Sequence, residues 1–340
     1  MKKHDKTLPL WTDLPVALRV RSTHGTVPYS REILLRSILS SGMEPDQAAA
    51  VVHQLEKHFT SYNKKTVPSR LIRNIVHRII SNTASPEFAE RYLLWQKFKK
   101  DKRPFILLLF GVPGTGKSAL ASSIAYRLGI QNVLNADAIA NLLTKGIDSY
   151  KKVSDYAFEF LKQVKENKDF PASEENIVSL FKEYAEQSAD VLYAAIRGAV
   201  YHGINTIIHG STITPGMVDI RRFHGKVVIV SVTIALPGKN ELKRRLDIGS
   251  GNKVSVKEVN ALWTIQKFLT FRSTQSRIPV IQNLSFDASI AKIMQFCSSN
   301  LKNRFSKSGS IEDTIDALRM ILADVHAALS KHKSEHSVTD

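Results

Sequence analysis

Residues 111–118 read Gly111-Val112-Pro113-Gly114-Thr115-Gly116-Lys117-Ser118. A Gly, four free positions and then Gly-Lys-Ser is the spacing of a phosphate cradle. The glycines let the backbone wrap so that successive N–H groups converge on phosphate oxygens. The Lys117 ammonium reaches the β/γ-phosphates of a nucleoside triphosphate, and the Ser118 hydroxyl is placed to ligate Mg²⁺. Such a P-loop works only if a strand delivers it and a helix follows, whose N-terminus adds the positive end of its dipole. Both flanks comply: Phe105-Ile106-Leu107-Leu108-Leu109-Phe110 is a continuous apolar run suited to a strand buried on both faces, and residues 119–128 have helical character. The expected ligands are ATP and Mg²⁺, and the expected chemistry is phosphoryl transfer.

Further candidates lie downstream. Asp137 ends the run Val133-Leu134-Asn135-Ala136-Asp137. At the carboxyl edge of a parallel sheet it would stand beside the phosphates, able to orient or deprotonate an acceptor hydroxyl or to hold Mg²⁺ through water. An N-cap for a helix over 138–143 is the competing reading. Lys243-Arg244-Arg245 follows Leu236-Pro237-Gly238; guanidinium groups on a lid stabilise charge on a transferring phosphoryl group, which singles out Arg244 and Arg245 beside Lys117 and Asp137 as catalytic candidates. A solvated basic helix face is the alternative there. Pro279-Val280-Ile281-Gln282-Asn283 ends the last strand, at the edge that meets the adenine, and carries no reactive group.

These residues need a scaffold. Apolar runs at 132–134, 206–208, 227–234 and 278–281 alternate with helical stretches, as in a parallel sheet flanked by helices. Ahead of them, residues 16–20 and 26–29 flank a Gly-containing turn as a β-hairpin, and helices are expected from Ser30 to about Ser41, from Glu44 to His58, after Pro68 and from Pro86 toward Lys99. The expected organisation is a polar tail over 1–14, a small mainly helical domain over 15–100, and an α/β domain over 101–300. Within the last, 147–199 reads as a helical, substrate-covering insertion. A C-terminal helix over 311–329 and a frayed tail complete 301–340.

The bulk composition narrows the partners. With 48 basic and 31 acidic residues the formal charge is +17, which favours polyanions such as nucleotides and sugar phosphates. Basic residues fall in short clusters spread along the chain rather than in one block with interleaved aromatics, which argues against nucleic acid. The single cysteine, Cys297, excludes an intrachain disulfide and fits a reducing compartment. No apolar stretch approaches a bilayer span, so a cytoplasmic protein is expected, with homo-oligomerisation left open.

Beyond these readings the sequence resembles a known family. Arg19-Val20-Arg21, Gly25-Thr26-Val27-Pro28-Tyr29-Ser30, two amphipathic helices and Arg91-Tyr92-Leu93-Leu94-Trp95 look like an ATP-cone, a nucleotide-binding regulatory domain. An ATP-cone followed by a P-loop kinase domain is similar to the 2-phosphoglycerate kinase family, which makes 2,3-bisphosphoglycerate from 2-phosphoglycerate and ATP. His209-Gly210-Ser211-Thr212-Ile213-Thr214-Pro215-Gly216, Trp263-Thr264-Ile265-Gln266-Lys267-Phe268-Leu269 and Ile278-Pro279-Val280-Ile281-Gln282-Asn283 resemble further family segments in the same order. The resemblance implies that Arg19 and Arg21 contact nucleotide phosphate. It also exposes departures: His209 and Thr212 stand where the family turn carries Glu and His, and Ala140 stands where it carries Arg.

Three functions follow as expectations. The first is transfer of the ATP γ-phosphoryl to 2-phosphoglycerate. The second is the same transfer to another phosphorylated acceptor, such as a polyol or inositol phosphate, because the departures fall at the acceptor end. The third is a non-catalytic ATP sensor.

Overall fold

A computed structural model describes residues 18–23, 25–60, 65–145, 173–250 and 253–307. The expectations for residues 1–14, for 147–172 and for the helix over 311–329 lie outside the described residues.

The N-terminal part is a three-stranded sheet with four helices. β1 (Arg19–Ser22) and β2 (Gly25–Pro28) pair antiparallel with Val20 opposite Val27. β3 (Thr66–Pro68) adds to the other edge of β1 in parallel, a three-residue strand with no pattern of its own in the sequence. Helices α1 (Arg31–Leu39), α2 (Pro45–Thr60), α3 (Ser69–Thr83) and α4 (Pro86–Phe98) pack around Ile38, Val52, Leu55, Phe59, Val76 and Ile80. Ser30 starts α1 by accepting from Ile33 N, and Ser85 starts α4 by accepting from Phe88 N with Pro86 in the first turn.

The second part is built on β4 (Phe105–Phe110), α5 (Lys117–Leu128), β5 (Asn132–Asn135), α6 (Ala136–Lys145), α7 (Glu174–His202), β6 (Thr206–Gly210), β7 (Val228–Ala235), α8 (Lys239–Ser250), α9 (Val256–Gln275), β8 (Val280–Gln282) and α10 (Phe286–Lys307). The strands form one parallel sheet in the order β5-β6-β4-β7-β8. Every residue of β4 is buried, as the FILLLF run demands of a central strand. The chain leaves β4 for the edge strand β5 and then steps back to β6. With right-handed crossovers, α5 and the α6–α7 pair therefore fall on opposite faces. Ile106, Leu108 and Phe110 accordingly share a buried cluster with Ala140, Val191, Leu192 and Ile196, while Leu107 and Leu109 point to the α5 side. From Ser299 a second unit begins, of which the last turns of α10 are described.

The two sheets are tied together through α5, the helix that follows the P-loop. At its C-terminal end Arg127, 5% exposed, donates to Met43 O at 2.8 Å, and Tyr126 donates to Glu32 Oε1 at 2.7 Å. Trp95 and Phe98 of α4 meet Phe105 of β4 edge-on, with ring centroids 5.4 and 6.0 Å apart. No described helix is long and apolar enough to cross a membrane.

Candidate active site

The P-loop leaves β4 under tight steric control. Gly111 has φ +145°, and a Cβ there would lie 2.3 Å from the Ile234 carbonyl oxygen of β7. Only glycine lets the neighbouring strand approach this closely. The loop then closes on itself, with Thr115 Oγ1 donating to Val112 O at 2.7 Å. Gly116, at φ +89°, turns the chain into α5. Leu242 and Leu246 of α8 cover the loop at Gly114, where an added Cβ would meet Leu246 Cδ2 at 3.1 Å.

Lys117 is 6% exposed, and its Nζ donates to Val112 O at 2.9 Å and to Ser211 Oγ at 3.1 Å. The second bond joins the ends of β4 and β6, next to the point where the strand order reverses and where open parallel sheets bind ligands. Burial lowers the Lys117 pKa to about 8, against the opposing pull of Asp137. A bound triphosphate favours the ammonium, so ATP binding is expected to take up about half a proton at pH 8 and less in more acidic buffer. The sign follows from the direction of the shift: above pH 8 the proton must be supplied before the phosphates are gripped, and ATP affinity declines as pH rises. Calorimetry in buffers of different ionisation enthalpy measures the uptake; proton release at pH 8 would contradict this account of Lys117.

Asp137 lies in the first turn of α6, and the N-cap role belongs instead to Asn135, whose Oδ1 accepts from Asp137 N at 3.0 Å and Ala138 N at 3.3 Å. The Asp137 carboxylate turns to the segment after β6. Oδ2 accepts from Ser211 N at 2.6 Å, and Oδ1 accepts from Thr212 N at 2.9 Å and Thr212 Oγ1 at 2.7 Å. Because the Thr212 hydroxyl spends its proton on the carboxylate, Ser188 of α7 is the donor in the 2.6 Å contact between the two hydroxyls. Three of the roughly four lone-pair positions of the carboxylate are filled, and one remains on Oδ2.

Two positions at which the resemblance implies departures, His209 and Ala140, are both buried. His209 ends 6% exposed, its imidazole without a hydrogen bond among the described residues. Burial first, then Lys117, holds it below the ordinary imidazole range, opposed by Asp137, so it is neutral at pH 7. Ala140 is fully buried in the cluster between α6, α7 and the sheet; a guanidinium could not take that position without opening the core. Beside the loop, Val112, Pro113, Phe181, Tyr184, Leu262 and Ile265 line a small apolar pocket that reaches Ser211 and Thr212.

The basic cluster on α8 divides by helix phase. Lys243 pairs with Asp247 at 2.8 Å, and Arg244 turns outward to Glu241, its side chain 60% exposed. Arg245 turns inward: it pairs with Glu241 at 2.6 Å and donates through Nη2 to Asn283 O at 2.6 Å, beside the P-loop. Arg244 and then Arg245 bring the Glu241 pKa down to about 2. Arg19 and Arg21, two residues apart on β1, are exposed on the N-terminal sheet, where Arg19 Nη2 reaches Thr26 O at 3.4 Å. Ser118 is exposed, with its hydroxyl free of hydrogen bonds among the described residues, which fits a group that would hold Mg²⁺.

Four residues around this centre were not among the site residues expected from the sequence: Ser188, Ser211, Thr212 as a carboxylate partner, and Asn283. Each acts through a distant residue. Asn283 Nδ2 donates at 2.8 Å to Thr115 O, 168 positions away.

Comparison with known proteins agrees with this arrangement. Residues 19–101 match the ATP cone domain. The 2-phosphoglycerate kinase of Pyrococcus furiosus is 30% identical over 274 residues, spanning 79% of this chain and 89% of that one. The Pyrococcus horikoshii enzyme of the same name is 29% identical over 276 residues, spanning 79% and 89%. That of Methanopyrus kandleri is 26% identical over 305 residues, spanning 86% and 91%. Similarity to these relatives runs along most of both chains, and with a P-loop on a parallel sheet behind an ATP-cone this protein is a small-metabolite phosphotransferase, and it belongs to the 2-phosphoglycerate kinase family.

Proposed function

We propose that the protein transfers the γ-phosphoryl group of ATP to the free hydroxyl of 2-phosphoglycerate, giving 2,3-bisphosphoglycerate and ADP. The observation that carries the reading is the similarity to relatives of that name over 79% of this chain. In the transfer, the bond between the γ-phosphorus and the β–γ bridging oxygen breaks, a bond to the acceptor oxygen forms, and the hydroxyl proton passes to Asp137 Oδ2 and from there to solvent.

The chain's own residues have distinct parts in this proposal. The backbone of residues 111–118 cradles the phosphates, and Lys117 moves its hydrogen bonds from Val112 O and Ser211 to the β/γ-oxygens. Asp137 locks the Ser211-Thr212 turn and offers its remaining Oδ2 lone pair to the acceptor hydroxyl. Arg245, turned toward the P-loop, stabilises the charge of the transferring group. Ser118 would hold Mg²⁺, which when bound neutralises phosphate charge. Arg19 and Arg21 would contact a second nucleotide at the cone.

A second reading keeps the transfer and changes the acceptor to a phosphorylated polyol. The buried Ala140 and the neutral His209, where the family carries Arg and Glu, favour it. Radiolabelled ATP with a panel of phosphorylated acceptors separates the readings. The expected result is a kcat/KM for 2-phosphoglycerate at least about a hundredfold above every polyol or inositol phosphate; the reverse preference selects the second reading, and ATP binding with transfer to no acceptor leaves a sensor.

A further inference from the structure

Asn283 is the first residue past β8, and its four polar groups reach four different parts of the molecule. Its N–H donates to Ala235 O at the end of β7, at 2.9 Å. The carbonyl accepts from Arg245 Nη2 of α8 at 2.6 Å. On the side chain, Oδ1 accepts from Ser289 Oγ of α10 at 3.0 Å, and Nδ2 donates to Thr115 O of the P-loop at 2.8 Å. The residue is 2% exposed. Its amide lies in the space left open at Gly116, where an added Cβ would come within 2.6 Å of Nδ2. The last glycine of the P-loop therefore has a specific occupant in this protein.

A trans peptide directs its C=O and N–H in opposite directions. Because Asn283 holds the Thr115 carbonyl, the Gly116 N–H is directed to the opposite side of that peptide. The same residue fixes Arg245 through its backbone carbonyl, two bonds from the side chain that holds the loop. We propose that Asn283 is a positioning residue for phosphoryl transfer: it sets the orientation of the Thr115–Gly116 peptide and keeps the Arg245 guanidinium in register with the P-loop. Ser289 fixes which way round the amide sits, since its hydroxyl donates to Oδ1 and so leaves Nδ2 facing Thr115 O.

The proposal rests on the reading of this loop as a nucleotide site, and the test is built on binding, so it does not depend on the acceptor. ATP with Mg²⁺ and, separately, adenosine are titrated calorimetrically into the full chain and its Asn283→Asp variant, both carrying Arg19→Ala and Arg21→Ala so that the cone site does not contribute; Asn283→Asp keeps the shape of the side chain and loses the N–H donor. The expected result is an ATP affinity about tenfold weaker, because a carboxylate oxygen facing the Thr115 carbonyl turns the peptide away, with adenosine affinity unchanged. Unchanged ATP affinity, or equal losses for ATP and adenosine, overturns the proposal while leaving the kinase reading intact. A parent chain that binds no ATP removes both. Because Asn283→Asp also adds a negative charge near the phosphates, Ser289→Ala, which adds none, is titrated beside it: freeing the amide to rotate is expected to weaken ATP about threefold without affecting adenosine, and the same affinity as the parent for ATP would overturn the proposal.

Discussion

Lys117→Met is expected to give a folded protein whose kcat/KM for phosphoryl transfer is about a thousandfold or more below the parent's. The ammonium sits at the meeting point of the P-loop and the Ser211 turn, held by Val112 O and Ser211 Oγ and poised to exchange these partners for phosphate oxygens. Methionine fills the same channel without charge. The fold should tolerate it, because Val112 O keeps the Thr115 hydroxyl at 2.7 Å and the Ser211 hydroxyl can turn to the cleft. Removing a buried ammonium also removes its desolvation cost, so the melting temperature should hold steady or rise. Transfer assays and thermal melts on the same preparation check both halves. Parent-like turnover in Lys117→Met would falsify the catalytic role.

Gly111→Ala should do the opposite, destroying stability and activity together. The methyl group would arrive 2.3 Å from the Ile234 carbonyl oxygen, a backbone atom of β7 that is locked into the parallel ladder with β4. The φ of +145° adds strain of its own for any residue with a Cβ. The two effects together are expected to cost about 3 kcal/mol or more, which corresponds to a drop of about 10 °C in melting temperature. A melt within about 2 °C of the parent's would mean that β4 and β7 are less rigidly packed at this point than the geometry requires.

Much of the architecture was legible because its signals are local. The FILLLF run announced a buried central strand, and the runs near 132, 206, 228 and 280 announced the other four. The observed strands begin or end within a residue or two of these expectations. The ATP-cone reading of the N-terminal part and the family resemblance both agree with the comparisons. β3 was not legible: three residues with only Val67 buried carry no periodicity, and only pairing with β1 makes them a strand. The Asp137 cap reading erred for a related reason. α6 begins at Ala136, two residues before the expected start, a boundary that a sequence pattern does not resolve, so the cap fell to Asn135 and Asp137 was free to face Ser211 and Thr212.

The P-loop could be read from the sequence alone because all its parts are contiguous: eight residues, the strand before them and the helix after them specify the backbone path without help from elsewhere. The surroundings of that loop could not. Lys117 and Ser211 are 94 positions apart, Asp137 and Thr212 are 75 apart, and Thr115 and Asn283 are 168 apart. They meet because a parallel sheet gathers the carboxyl ends of all its strands along one edge, whatever their separation in the chain. Helix phase then separated Arg245, turned toward Asn283, from Arg244, turned toward solvent. The sequence determined that a phosphate chain is held; the tertiary structure decided which side chains surround it, since those contacts depend on strand order and register rather than on any local pattern.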